Sequence, residues 1–210
     1  IKKKINSDSD HINFNLLSTT IDKNHMSYKD SYNSFINGIE HLKLFEKMNI
    51  YDKIHVCICC NTMHLCLENY VLNNNLISNK VIFYKLPYYI NEYINSIYNN
   101  ELIYLWSTKE TYTKRLYHKY LINHTIQKYE KYDLLDNLIR LIKYSYHIDD
   151  TIINELLKDI PENSFIILGC TELPLIIDKL NTFIKGRHIS FINPNLVISK
   201  YITDNYIENE

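Results

Sequence analysis

The 210-residue chain has no alanine and only three glycines, Gly38, Gly169 and Gly186. Every motif that depends on small residues is therefore diluted, and a glycine that stands beside a reactive residue is worth examining. The place of small residues is taken by 33 Ile, 26 Asn, 20 Lys and 19 Tyr, a skew more easily read as AT-rich coding pressure than as function. The chain also lacks an excess of either charge. It has 23 basic and 24 acidic residues, a net charge of −1 and a pI near 6.8. A phosphate-backbone binder usually carries a basic surplus, so nucleic acid is not an expected partner. No uninterrupted apolar run approaches the roughly 18 residues of a membrane span. The chain opens at Ile1 without an initiator Met or a signal-peptide core, so the numbering is expected to begin inside a longer protein. Five cysteines, four of them between Cys57 and Cys66, do not form a secreted disulfide framework. Free thiols in a reducing, cytoplasmic setting fit better.

The pattern of what is present predicts alternating helices and strands. Polar residues 1–13 read as loop, and 14–18 as a short strand. Phe35, Ile36, Ile39, Leu42, Leu44 and Phe45 recur at helical spacing between Lys29 and Met48. The run Ile54 to Cys60 reads as a buried strand, followed by a helix from Thr62 to Leu72. Further strands are predicted at 81–84, 102–106, 165–168 and 189–192. Helices are predicted at 88–98, 112–124, 133–145, 150–158, 172–180 and 195–206. Strands alternating with helices of this length imply parallel βαβ units, and near-continuous apolar strands imply sheets covered on both faces. The expected fold is α/β, with two similar parallel-sheet domains and a site in the cleft between them. Residues 1–98 with 190–210 would form the first domain and 99–189 the second, with Asn99-Asn100 as a hinge.

One structural echo carries chemistry. Ile54–Cys60 runs into Asn61-Thr62 and a helix, and Phe165–Cys170 runs into Thr171-Glu172 and a helix. Each puts a cysteine at the carboxyl end of a strand, the edge where open α/β sheets bind ligands. The threonines can cap their helices, and the exposed N–H groups suit a substrate carboxylate. A helix N-terminus also favours thiolate over thiol. Two thiols facing each other across a cleft suit one reaction in particular. One removes a proton from a carbon and the other returns a proton to the opposite face, inverting the centre.

Ile58-Cys59-Cys60-Asn61-Thr62-Met63-His64 resembles the CNTxH motif of the aspartate/glutamate racemase family, and Leu168-Gly169-Cys170-Thr171-Glu172-Leu173-Pro174 resembles its GCTELP motif. Their order and separation are as in that family. Asp10-His11-Ile12 resembles the DHIP strand. Ser107-Thr108-Lys109-Glu110-Thr111, with Tyr117 beyond, resembles the ATxGT…Y segment that opens the second domain. Ile192-Asn193-Pro194 stands where the family often has IDP. The resemblance implies a cofactor-independent racemase of a small acidic amino acid, with no metal and no pyridoxal phosphate, and usually a homodimer. By the same resemblance Cys60 and Cys170 would be the paired acid and base. Asn61, Thr62 and Thr171 would hold the amino and α-carboxylate groups, with Thr108 and Thr111 lining the same cleft. His64 and Glu172 would orient or tune the thiols.

The sequence also departs from the family. No Gly-rich first loop is present, so the first βα unit is expected to be missing before Ile1. The SNPxxPDR loop is replaced by Ser18-Thr19-Thr20-Ile21-Asp22-Lys23-Asn24-His25, and Glu110 replaces a glycine. These departures support an alternative, a catalytically inactive racemase-like protein that binds ligands or acts as a scaffold. Read singly, several of these residues have plainer roles: His64 as a cap or core histidine, Glu172 as a first-turn acid, Thr108 and Thr111 as caps. Cys57 and Cys59 share one face of their strand by period two and are expected to fill core, as is Cys66 in the following helix. A metal site built from Cys57, Cys59, Cys60, His64 and Cys66 is disfavoured, because zinc knuckles use CxxC turns and a distant second pair. A bridge between the adjacent Cys59 and Cys60 would be strained.

Overall fold

The computed structural model describes residues 28–49, 53–73 and 78–206. The predicted loop at 1–13, the strand at 14–18 and the loop at 18–25 lie outside the described residues. The elements are α1 (Tyr28–Met48), β1 (Ile54–Cys57), α2 (Asn61–Asn73), β2 (Val81–Tyr84), α3 (Leu86–Ile97) and β3 (Leu102–Trp106). They continue with α4 (Lys109–Thr113), α5 (Tyr132–Lys143), α6 (Asp150–Leu157), β4 (Ser164–Leu168), α7 (Ile177–Phe183), β5 (Ile189–Ile192) and α8 (Pro194–Tyr206). The fold is α/β, and every strand pairing among the described residues is parallel.

Two sheets are formed. β1 pairs with β2 in a register running from Ile54 opposite Val81 to Cys57 opposite Tyr84. The larger sheet has the order β3-β4-β5, with Leu102 opposite Ser164 and Ser164 opposite Ile189. Period-two alternation divides the larger sheet between two cores. Tyr104, Trp106, Ile166, Leu168 and Ile189 face α5, α6 and α7. Ile103, Leu105, Phe165, Ile167 and Ile192 face the other way, against Leu65 of α2 and Ile90 and Ile94 of α3. Helices of the β1–β2 unit thus close one face of the β3-β4-β5 sheet. Leu105, Trp106, Ile166, Ile167 and Leu168 are wholly buried. Such a side chain contributes about 1.5–3 kcal/mol through burial.

Local sequence accounts for the helices that matter here. In α5, Leu135, Leu138, Ile139 and Ile142 fall at i, i+3, i+4 and i+7 and form its buried stripe. α6 begins where the Asp149 carboxylate accepts from the Thr151 N–H at 2.9 Å. α1 and α2 bury Phe35, Ile39, Leu67 and Tyr70 against each other. α3 and α8 meet over Tyr84, Leu86 and Ile198. Asn100, with φ of 66°, makes the turn into β3.

Three expectations need correction. β1 ends at Cys57, and Ile58–Cys60 form the turn into α2. Cys57 and Cys59 are exposed rather than core. The alternation has the predicted period and the opposite phase. Ile54, Val56 and Ile58 have more apolar bulk and take the inner face, leaving His55, Cys57 and Cys59 on the outer one. The helix expected over 112–124 is not formed. α4 stops at Thr113, Arg115 adopts a φ of 56°, and a short 3-10 turn covers Tyr117–Lys119. Leu116, Tyr117 and Leu121 of this segment are buried against the sheet by this irregular path. Cys66 is buried, as expected.

Candidate active site

Both motif cysteines leave the carboxyl ends of their strands. Cys60 sits in the turn between β1 and α2, and Cys170 follows β4 after Gly169. The close packing of Gly169 positions the second. Its N–H donates to the Trp106 carbonyl at 2.7 Å, tying the end of β4 to the end of β3. A Cβ at Gly169 would lie 2.7 Å from Leu105 Cδ1 and 3.1 Å from Ser107 Cβ. The chain cannot place any larger residue there without moving one of these neighbours. This is the physical requirement behind a glycine that survives in so glycine-poor a sequence.

The two thiols stand in different electrostatic settings. Cys60 is exposed at its turn, and Cys170 is buried. The protein packed around the Cys60 sulfur still strips it of enough solvent to push the thiol up, while the N–H groups of Met63 and Thr62, at the start of α2, pull it down. The negative charge of Glu172 raises it further, and the positive charge of Lys143 lowers it. Burial also raises Cys170, and the Glu172 carboxylate beside it adds to that effect. The Cys170 S–H donates to Glu172 Oε2 at 2.9 Å, and the Thr171 hydroxyl donates to the same oxygen at 3.1 Å. A thiolate on Cys60 also disfavours a thiolate on Cys170. Cys60 is therefore within electrostatic reach of Lys143, Glu172 and Cys170, which come from other stretches of chain. Both thiols favour the protonated form, and Cys170 is held there the more firmly.

The other predicted residues divide into two groups. Asn61 is buried, and its Oδ1 accepts from the buried Tyr117 hydroxyl at 2.5 Å. This fixes the amide: with the oxygen engaged by Tyr117, the Asn61 NH2 is the end left to donate. The bond also joins α2 to the segment after β3, and an ion pair between Lys119 and Glu68 reinforces that joint. Thr62 and Thr171 are half-buried beside their cysteines. Thr108 and Thr111 bond chiefly to each other. Thr108 Oγ1 donates to Thr111 Oγ1 at 3.1 Å and accepts from the Thr111 N–H at 3.3 Å, as the N-cap of α4. Thr111 is fully buried and Thr108 half-buried.

His64 is a clamp. Its Nε2 accepts from the Leu86 N–H at 3.0 Å, so the ring proton sits on Nδ1 and donates to the Cys60 carbonyl at 3.1 Å. Burial holds its pKa below 6.5, and the acceptor role of Nε2 requires the neutral ring. The histidine thus pins the Cys60 turn to the start of α3. Sequence reasoning misses the effect of the Lys143 charge on Cys60, and no local pattern signals it, since it depends on how α5 packs. The role of Tyr117 toward Asn61 is equally unsignalled, although Tyr117 belongs to the ATxGT…Y likeness.

A shallow concavity of about 390 Å³ lies elsewhere, lined by residues of α6 and α7 with Lys158 and Arg187. It adjoins the residues that lead into β4 and β5, at the opposite strand ends from Cys170. Its cations already have partners, Arg187 with Glu162 and the Leu157 carbonyl, Lys158 with Glu155. The two-cysteine region, rather than this concavity, holds the reactive groups. Among the described residues no group of three or more His, Cys, Asp or Glu is placed to hold a metal ion. No helix among them is long and apolar enough to cross a membrane.

No protein-family model matches the sequence, and no curated protein matches it. Solved structures do. An aspartate racemase from Picrophilus torridus superposes with a TM-score of 0.62 at 19% identity, over 95% of this chain and 82% of that one. A glutamate racemase from Campylobacter jejuni gives 0.62 at 18% identity, over 90% and 76%. The glutamate racemase isoform RacE1 from Bacillus anthracis gives 0.61 at 16%, over 88% and 69%. The chain shares the two-domain α/β fold of these racemases.

Proposed function

We propose that this protein is a cofactor-independent amino-acid racemase that inverts Cα of a small acidic amino acid, with Cys60 and Cys170 as the two proton-transfer groups. The observation that carries the reading is the pairing of two strand–Cys–Thr turns, each at a carboxyl strand edge; the charge of Cys60 felt at Cys170 agrees with it. The likeness of fold to aspartate and glutamate racemases supports it.

In this reading one thiolate removes the Cα proton and the opposite thiol delivers one to the other face. Cys60 suits the first role, because its sulfur faces the N–H groups of Thr62 and Met63. Cys170 suits the second, because the Glu172 carboxylate beside it opposes the thiolate and keeps the thiol protonated. The reverse direction exchanges these roles, and Glu172 is then the nearest acceptor for the Cys170 proton. The substrate's ammonium group would bring a positive charge to a site that now holds both thiols protonated, and so favour the working thiolate. In this reading the helix start at Thr62 and the Asn61 NH2 would offer donors to the α-carboxylate, and Thr171 would join them. Fixed donors in a dry cleft are what a carbanion-like transition state requires.

A second reading, a racemase-like binding or scaffold protein without catalysis, draws support from the raised pKa of both thiols. One experiment separates the two. The protein is incubated with L-Asp or L-Glu in D2O and Cα exchange is followed by NMR. Exchange abolished by Cys60→Ala and by Cys170→Ala supports the two-thiol reading. Exchange that persists in Cys60→Ala overturns it. Binding without exchange favours the scaffold.

A further inference from the structure

Asn61 can present a ligand with a donor or with an acceptor, according to which way its amide is turned. Tyr117 decides between them. Both side chains are buried, Tyr117 completely. The Tyr117 hydroxyl lies 2.5 Å from Asn61 Oδ1 and has no other hydrogen-bond partner among the described residues. With the amide reversed, the NH2 would donate to the phenol oxygen, and the phenol proton would be left buried without an acceptor. Only Oδ1 turned toward Tyr117 satisfies both groups, and burial keeps the phenol protonated to serve as the donor. The Asn61 NH2 then makes no hydrogen bond among the described residues, and it keeps access to solvent. It belongs to the first residue of α2, directly after Cys60.

Tyr117 is itself held along α2. Asn61, Leu65 and Glu68 fall at i, i+4 and i+7 of this helix and share one of its faces. The irregular segment after α4 follows that face. Tyr117 bonds Asn61, Leu65 shares a core with Leu116, Tyr117 and Leu121, and Lys119 pairs with Glu68. These contacts together fix where the phenol stands along the helix, and so fix the amide it holds.

We infer that Tyr117 is a positioning residue for ligand recognition: its hydroxyl holds the Asn61 amide so that the site offers an amino acid's α-carboxylate the NH2 and not the carbonyl oxygen. The inference rests on the proposed reading of the site as one that takes a small acidic amino acid. Tyr117 touches no reacting atom and acts through Asn61. Its effect on affinity must therefore vanish when the amide is removed.

The test is a double-mutant cycle on affinity. L-Asp and L-Glu are titrated calorimetrically into the wild type, Tyr117→Phe, Asn61→Ala and the double variant, each checked for folding by circular dichroism. Tyr117→Phe should weaken binding about 2–10-fold, the worth of one hydrogen bond. In the Asn61→Ala background the same exchange should change affinity by less than about 1.5-fold. A segment that only shapes the site would give equal losses in both backgrounds, and that result overturns the inference. A second measurement needs no variant. The Asn61 side-chain NH2 resonances of the isotope-labelled wild type, assigned by triple-resonance NMR, should shift as either amino acid is added; resonances that stay fixed at saturation overturn the inference. Exchange at Cα in D2O reports on racemisation separately. Binding without exchange overturns racemisation and leaves the cycle to decide on Tyr117. Exchange with equal losses in both backgrounds overturns the role of Tyr117 and leaves racemisation standing. Binding of neither amino acid overturns both.

Discussion

Replacing Glu172 by Gln should lower the pKa of Cys170. The carboxylate oxygen lies 2.9 Å from the Cys170 sulfur, so ionising the thiol places two negative charges at that separation. At an effective dielectric of about 20, their repulsion is roughly 6 kcal/mol. At about 1.36 kcal/mol per pH unit, that sets a ceiling near 4 units. Reorientation of the Glu172 side chain reduces the cost in the wild type, and Gln retains an acceptor oxygen for the S–H. A fall of about 1–3 units is therefore expected. Burial is the larger cause of the elevation and remains, so the thiol should stay above its ordinary value of 9.0. The assay is the pH titration of the Cβ resonance of isotope-labelled cysteine, with Cys170→Ala identifying the signal. Cys60 should fall in the same variant by a smaller amount, because Glu172 also raises it. A Cys170 pKa that is unchanged or higher in Glu172→Gln would refute the electrostatic account of this turn.

Other consequences can be checked with less effort. Tyr117→Phe strands the buried Oδ1 of Asn61 and should cost about 1–3 kcal/mol in urea unfolding; a cost under about 0.5 kcal/mol would show the bond to be dispensable. Gly169→Ala pushes a methyl against Leu105 Cδ1 and should destabilise by about 1–3 kcal/mol, with Leu105→Ala in the same chain recovering part of that loss in thermal melts. His64 has a folded-state pKa below 6.5, so the unfolded state binds the extra proton. Its contribution is complete above pH 6.5 and is lost as the pH falls below that value. Urea midpoints should therefore drop less between pH 7.5 and 5.5 in His64→Gln than in the wild type, and an equal drop would argue against the clamp. His55 and His118 are depressed by burial in the same direction and contribute equally to both proteins.

Strand and helix order is legible in the sequence because burial on both faces leaves a direct mark. Val81–Tyr84, Leu102–Trp106 and Phe165–Leu168 are apolar throughout, and only parallel strands between helices bury such runs. Legibility ends where a residue's environment depends on a distant element. The phase of β1 is hidden because alternation gives a period without saying which face is inner, and packing against α1 and α2 decides that. The 112–124 segment misleads because its apolar side chains are buried equally well by an irregular chain pressed onto a sheet. Lys143 cannot be placed near Cys60 from sequence at all, because its position is set by the packing of α5.

The two cysteine turns are the sharpest case of this limit. In sequence they are near-equivalents, strand–Cys–Asn-Thr and strand–Cys–Thr-Glu. In the fold they differ through the segments on their carboxyl side. After Cys60 a 13-residue helix begins at Asn61 and aims its first N–H groups at the sulfur. After Cys170 the chain makes a short 3-10 turn at Leu173–Ile176, with Pro174 inside it, before α7 begins. The Glu172 N–H alone favours a thiolate there, and the carboxylate of the same residue opposes it. One turn is built to tolerate charge and the other to hold a proton. A reaction that must take a proton on one face and give one on the other needs that difference at the outset. Equal thiols would leave both protonated or both waiting. Exchange of Glu172 for Gln makes the turns more alike. Under the proposed racemisation it should therefore alter the proton transfers at Cys170 more than those at Cys60, and the two directions of the reaction should change in initial rate unequally at saturating substrate.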